Sequence, residues 1–166
     1  MSKTPLVCIV GHSSSGKTTY IERLIPELKK RGYCLALIKH HRHEFDIDVE
    51  GKDSWRYLKA GSDAAMVSSP DKVALIKKVD HDLSPDELRT FIGGGFDLII
   101  IEGFKKADEL KIEVHRAELG KALSCLPEDL VAVVTDENLD LPVAQYDLTD
   151  VVAIADLIEQ RLLGKP

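Results

Sequence analysis

One eight-residue segment, Gly11-His12-Ser13-Ser14-Ser15-Gly16-Lys17-Thr18, constrains this chain more than any other feature. An unbroken apolar run, Leu6-Val7-Cys8-Ile9-Val10, precedes it. Such a run reads as a strand buried on both faces, the condition of a parallel sheet. The segment is followed by helical spacing, with Ile21, Leu24, Ile25 and Leu28 on one face and Glu22, Glu27, Lys29 and Lys30 on the other. The segment is therefore a strand-to-helix turn. Gly11 and Gly16 let its backbone bend so that successive N–H groups converge, and the helix start adds partial positive charge. That combination is a cradle for phosphate oxygens.

The spacing GxxxxGK[ST] gives two side chains defined tasks. Lys17 neutralises β- and γ-phosphates, and the Thr18 hydroxyl is placed to ligate Mg²⁺. Ser13, Ser14, Ser15 and Thr19 are further candidate phosphate donors.

The remaining pattern alternates strands with helices. Leu35-Ala36-Leu37-Ile38 reads as a second buried strand, and Leu98-Ile99-Ile100-Ile101 as a central one. Val131-Ala132-Val133-Val134 is expected to be the last buried strand, and Leu110-Lys111-Ile112-Glu113-Val114 alternates as a half-exposed strand would. Ala64-Ala65-Met66-Val67 and Val73-Ala74-Leu75-Ile76 flank the turn Ser69-Pro70-Asp71, which predicts an antiparallel hairpin and hence a mixed sheet. Helices are expected after Asp53 or Ser54, after Ser84-Pro85, and over residues 147–163 with Thr149 or Asp150 as cap. These elements predict one three-layer α/β domain over residues 1–166, with a mostly parallel sheet and an added antiparallel hairpin.

Bulk properties narrow the class. A chain of 166 residues that is 44% hydrophobic and 30% charged has material for one globular core. The formal charge, 22 − 28 = −6, disfavours general nucleic-acid binding but permits one local positive pocket. Cys8, Cys34 and Cys125 form no CxxC pair and read as buried, reduced thiols, with Cys8 and Cys34 inside apolar runs. Met1-Ser2-Lys3-Thr4-Pro5 leads straight into the first strand, so no secretory leader is expected. No apolar stretch approaches the ~20 residues that span a bilayer. A cytoplasmic location is the expectation.

Three further places carry chemistry. Glu102 ends the run from Leu98 and precedes Gly103, where a neighbouring strand's acid would hold Mg²⁺ through water. Asp97 begins the same strand at the opposite end and is expected to be structural. The polar loop over residues 39–52 emerges from a strand's C-terminal end, where ligands bind in open α/β sheets. In it, Asp46 or Asp48 could approach Mg²⁺ or order an attacking water, and Lys39 and Arg42 could meet phosphate or an anionic partner. His40, His41 and His43 raise a transition-metal alternative, although no fourth ligand is obvious. Trp55 belongs either to this surface or to the core. Arg116 could close on a nucleotide or on a subunit interface; cross-strand charge pairing is an equal alternative. Lastly, the carboxylate of Asp136, after Thr135, could accept both hydrogen bonds offered by the N1–H and 2-amino group of guanine. Adenine lacks that donor pair.

Taken together, Gly11 to Thr19, then Leu37-Ile38-Lys39-His40-His41-Arg42-His43 with Asp46, Asp48 and Gly51-Lys52-Asp53-Ser54, then Ala60-Gly61, then Asp97 to Lys105 with Glu102-Gly103-Phe104-Lys105, resemble the MobB family. These are molybdopterin-guanine dinucleotide biosynthesis adapter proteins, and the likeness covers nearly the whole chain. The resemblance implies a dimeric GTP-binding protein of the signal-recognition and MinD-type class with weak Mg²⁺-dependent GTPase activity. Its implied partner is the guanylyltransferase MobA, which joins GMP to molybdopterin. Position by position it places phosphates on residues 11–19, the metal on Thr18 and Glu102, and the base on Thr135 and Asp136. MinD-type relatives carry an additional lysine early in the loop; here His12-Ser13-Ser14-Ser15 stands there, which favours slow turnover. Two alternatives use the same motif. A small-molecule kinase would need an arginine-rich lid, whereas Arg89, Arg116 and Arg161 are scattered. A metallochaperone-type GTPase would use the three histidines.

Overall fold

The computed structural model describes residues 3–41, 43 and 45–164. The chain divides into two compact units, residues 1–40 with 85–166, and residues 41–84.

The larger unit is built on β1 (Leu6–Val10) and α1 (Lys17–Lys30), followed by β2 (Leu35–Lys39). The smaller unit holds α2 (Asp53–Lys59), β3 (Ala64–Ser68) and β4 (Val73–Lys77). The chain then returns to the larger unit with α3 (Pro85–Ile92), β5 (Leu98–Glu102), β6 (Leu110–Val114), β7 (Ala132–Thr135), β8 (Ala144–Asp147) and α4 (Val151–Ile158). Six strands form one sheet in the order β2-β5-β1-β6-β7-β8, and every neighbouring pair is parallel. All six therefore end at the same edge. The loops after β1, β5, β6 and β7 open side by side there.

β1 lies inside the sheet, and all five of its residues are buried. Val7 and Ile9 face α1 and α4, packing with Tyr20, Ile21, Leu24, Leu28, Ile154 and Ile158. Leu6, Cys8 and Val10 face the other way, against a layer in which α3 supplies Ile92 and the loops supply Phe96, Phe104, Leu123 and Cys125. Each fully buried Ile or Leu contributes about 1.5–3 kcal/mol. α1 has no acid in its first turn and carries Lys29 and Lys30 in its last. Its positive end is thus left to whatever lies at the phosphate loop.

Four sequence expectations are corrected. First, β2 is an edge strand in which Leu37 is exposed, and Cys34, just before it, is exposed rather than buried. An apolar run does not distinguish an edge from a centre when one face alone is covered. Second, the hairpin β3–β4 pairs on itself and not with the main sheet, which is wholly parallel. The tight turn satisfies its backbone locally, with Ser69 N–H donating to Lys72 O at 2.8 Å. Third, β6 is buried despite its alternation: Lys111, Glu113 and His115 all lie inside. Fourth, residues 144–147 form the additional edge strand β8, too short and polar to read as one. The closing helix therefore starts at Val151, capped by Asp150, whose Oδ1 accepts from Ala153 N–H at 3.0 Å. A wider π-helical turn, Glu159–Leu163, follows.

In the smaller unit, Ala65 is buried and Trp55 is half-buried with the Lys59 ammonium 5.3 Å from its ring centre. Met66, Val67 and Val73 of the hairpin are exposed.

Candidate functional site

The phosphate loop begins where β1 leaves the sheet. Gly11 has φ +145°, and a Cβ there would stand 2.4 Å from the Val114 carbonyl oxygen and 2.7 Å from Ser15 Oγ. Only glycine permits that approach between the loop and β6. Ser14 (φ +65°) and Gly16 (φ +89°) take left-handed conformations, which turn the amides around. Ser15 N–H donates to His12 O at 3.3 Å, and Tyr20 N–H to Gly16 O at 2.8 Å, starting α1. Ser15 is buried, and its Oγ has no hydrogen-bond partner among the described residues. Ser13, Ser14 and Thr19 are exposed.

Lys17 folds back over this loop. Its ammonium donates to His12 O at 2.6 Å and to Gly11 O at 3.3 Å. Burial lowers its pKa from the ordinary lysine value, and the Glu102 charge works against that shift. Thr18, at the first turn of α1, donates its hydroxyl to both Glu102 oxygens, at 2.9 and 3.1 Å. The parallel register sets this up, because Ile9 pairs with Glu102 at the end of β5. Lys39 Nζ stands 3.6 Å from Glu102 Oε1. Gly103 N–H then donates to Ile9 O at 2.9 Å, and Phe104 has φ +59°. Its ring lies 3.9 Å from that of His40. A bulky residue at positive φ stores strain, and such outliers gather at functional sites.

The other flank is formed by the ends of β6 and β7. Asp136 Oδ1 accepts the Ala117 N–H at 2.9 Å, and its Oδ2 is 3.7 Å from Arg116 Nη1. Arg116 also lies against Gly16: a Cβ built there would be 3.6 Å from Nη2. Thr135 Oγ1 is used within its own turn, accepting from Glu137 N–H at 3.2 Å. His115 Nε2 is 2.7 Å from Glu137 Oε1. Glu113, fully buried, accepts the N–H groups of Ser124 and Cys125 at 2.6 and 3.1 Å. His12 Nε2 lies 3.0 Å from Ala122 O, so residues 122–125 are tied beside the phosphate loop from two sides. The anchoring roles of Glu113 and of the His115–Glu137 pair were missed in the sequence. The alternation of residues 110–114 reads as half-exposed and gave no signal of an inward carboxylate.

Asp48 belongs to the smaller unit. There Oδ1 accepts from Val49 N–H and from the Ser54 hydroxyl, both at 2.9 Å, which fixes the entry to α2. His41 stacks near Phe45, with ring centres 5.6 Å apart. Arg42 lies outside the described residues. Among the described residues, no group of three or more His, Cys, Asp or Glu side chains could hold a metal ion. Asp97 is structural: its carboxylate accepts from Cys34 N–H at 2.7 Å.

A parallel α/β sheet with a glycine cradle at its edge, a lysine across the cradle and a Thr–Glu pair beside it defines a P-loop nucleotide-binding protein. Residues 6–136 match the model of the family described as molybdopterin guanine dinucleotide synthesis protein B, MobB. The chain belongs to that family. It is 38% identical over 162 residues to the molybdopterin-guanine dinucleotide biosynthesis adapter protein of Haemophilus influenzae, covering 97% of this chain and 91% of the relative. It is 37% identical over 163 residues to the protein of the same name from Escherichia coli, covering 93% and 91%. Among solved structures, Bacillus subtilis MobB superposes with a TM-score of 0.77 at 32% identity, covering 97% of this chain and 99% of that one. Among the described residues no helix is long and apolar enough to cross a membrane.

Proposed function

We propose that this chain is a GTP-binding adapter in molybdenum-cofactor biosynthesis, assisting the enzyme that attaches GMP to molybdopterin. The observation that carries the nucleotide assignment is the preformed set at the edge of β1. Lys17 lies across loop carbonyls, Thr18 hydrogen-bonds Glu102, and the buried Ser15 hydroxyl lacks a partner among the described residues. The relatives' names supply the pathway.

Residues 11–19 would bind the phosphates through loop amides and the serine and threonine hydroxyls. Thr18 and Glu102 offer the hard oxygen donors that Mg²⁺ prefers, and they would hold it. When bound, Mg²⁺ offsets charge on the β- and γ-phosphate oxygens. Lys17 shares that task from the other side of the loop. Asp136 would read guanine, with Thr135 holding its turn.

Hydrolysis would be slow. The segment His12-Ser13-Ser14-Ser15 contains no second lysine to stabilise the transferring phosphoryl group. A MobA-like guanylyltransferase is the proposed partner, and the cytoplasm the proposed location. Homodimerisation is supported by Met66, Val67 and Val73, apolar side chains exposed on a two-stranded hairpin.

Base selection tests the assignment. The parent protein should bind GTP at least tenfold more tightly than ATP, and Asp136→Asn should shift preference towards xanthosine triphosphate. Equal affinity for GTP and ATP would remove the guanine assignment.

A further inference from the structure

Three sources of positive potential converge on the phosphate loop: the amide end of α1, the Lys17 ammonium and the Arg116 guanidinium. The third has no place in the loop motif. Arg116 follows β6, yet a Cβ on Gly16 would be 3.6 Å from its Nη2 and 3.7 Å from its Nε. A cation beside a helix N-terminus is electrostatically misplaced, since that end carries about half a positive charge. No acid in the first turn of α1 relieves it. Its counter-ion is Asp136, at 3.7 Å, an ion-pair distance too long for a hydrogen bond. Both side chains are about one-third exposed. The pair is weak and loosely held.

Asp136 is also the residue assigned to guanine, and its two oxygens are engaged by Ala117 N–H and Arg116. Base recognition therefore competes with what Asp136 already holds. The turn that carries it is fixed independently by His115–Glu137 and by Thr135. Exchange of partners then needs movement of the Arg116 side chain rather than of the loop.

We infer that Arg116 is a nucleotide-binding residue that couples the two ends of the ligand. A nucleoside 5′-di- or triphosphate draws its guanidinium from Asp136 to phosphate oxygens at the Gly16 turn, and this frees Asp136 Oδ2 for the base. A planar guanidinium suits both partners, because it forms paired hydrogen bonds with carboxylate or phosphate. Guanine is thereby read strongly only when phosphate is present. The inference rests on the guanine-nucleotide assignment above.

The exchange has a signature in a double-mutant cycle on GTP affinity. The Arg116–Asp136 pair exists in the free protein and is broken in the complex. Each single variant loses a ligand contact but also escapes the cost of breaking the pair. The double variant escapes that cost once only. Arg116→Ala should weaken GTP binding by about five- to tenfold. The Arg116→Ala/Asp136→Ala protein should be weaker than the product of the single effects by about two- to fivefold. Arg116→Lys should recover part of the loss, and it provides a second route if the alanine variant folds poorly. If Arg116 merely supports Asp136, the double variant would be no worse than the poorer single one. That result, strict additivity, or unchanged affinity in Arg116→Ala and Arg116→Lys would overturn the inference. Lys17→Ala, assayed in parallel, separates the two levels. Undiminished GTP binding there would remove the nucleotide site itself, whereas a large loss with a less-than-additive cycle would remove only the coupling.

Discussion

Thr18 Oγ1 donates to both carboxylate oxygens of Glu102, at 2.9 and 3.1 Å, although the two residues are 84 positions apart in sequence. β1 and β5 are neighbours in parallel register, so the first turn of α1 faces the end of β5. Hydroxyl and carboxylate form an oxygen pair beside the phosphate cradle. Thr18→Val and Glu102→Gln should each raise the Mg²⁺ concentration needed for half-maximal GTP binding, by about 10–100-fold. A Mg²⁺ titration at fixed GTP measures this. Unchanged titration curves would detach the pair from the metal.

Gly11 predicts a stability defect. A methyl group there meets the Val114 carbonyl at 2.4 Å while the backbone stays at φ +145°. Gly11→Ala should cost about 3 kcal/mol or more, from strain together with overpacking. Urea denaturation reads that loss, and GTP binding should fall with it because the loop must shift away from β6.

Glu113 predicts a defect of different origin. Its carboxylate is fully buried and accepts two backbone N–H groups. Glu113→Ala leaves both donors unsatisfied and should destabilise by about 3 kcal/mol. Amide exchange at residues 124 and 125 should accelerate beyond the global change, since the tether there is lost.

The Cys8 thiol is fully buried between sheet and loops, and burial pushes its pKa up to about 12. The exposed Cys34 should react with a thiol reagent at pH 8, and Cys8 only after unfolding. The raised value also sets a pH dependence. Between the unfolded thiol's value of 9.0 and about 12 the native state holds a proton that the unfolded state has released. The contribution from Cys8 is complete below pH 9 and declines as pH rises through that window. Cys8→Ala should flatten the alkaline limb of the stability profile.

The phosphate loop was legible because its chemistry is local. Gly11, Gly16, Lys17 and Thr18 lie within eight residues, between elements with clear periodicities. The placement of Glu102 beside Thr18 was legible for a related reason: an acid ending a fully apolar strand points to the edge where the phosphate loop opens. Residues defined by non-local register were harder to read. The alternation at Lys111, Glu113 and His115 resembles a solvent-facing strand. It becomes a buried row only because residues 122–125 fold over it, as the Glu113 hydrogen bonds record. Leu35 to Ile38 read as a buried strand, yet their position at the sheet edge depends on β5 inserting beside β1. β8 is four residues with one strong apolar member, below what periodicity detects. Arg116 read as able to close on a nucleotide, but its approach to Gly16 left no local pattern, since the two residues lie 100 positions apart and meet only through the fold.

In the proposed function, the loop from Gly11 to Thr19 grips the phosphates of a guanine nucleotide. Calorimetric titration of GTP in Mg²⁺ into the parent protein and into Lys17→Ala tests it most directly. The parent should bind one GTP per chain, and loss of the Lys17 ammonium should weaken binding by about 100-fold, near the upper end for a charge-assisted contact. A Lys17→Ala protein that binds GTP as tightly as the parent would contradict the claim.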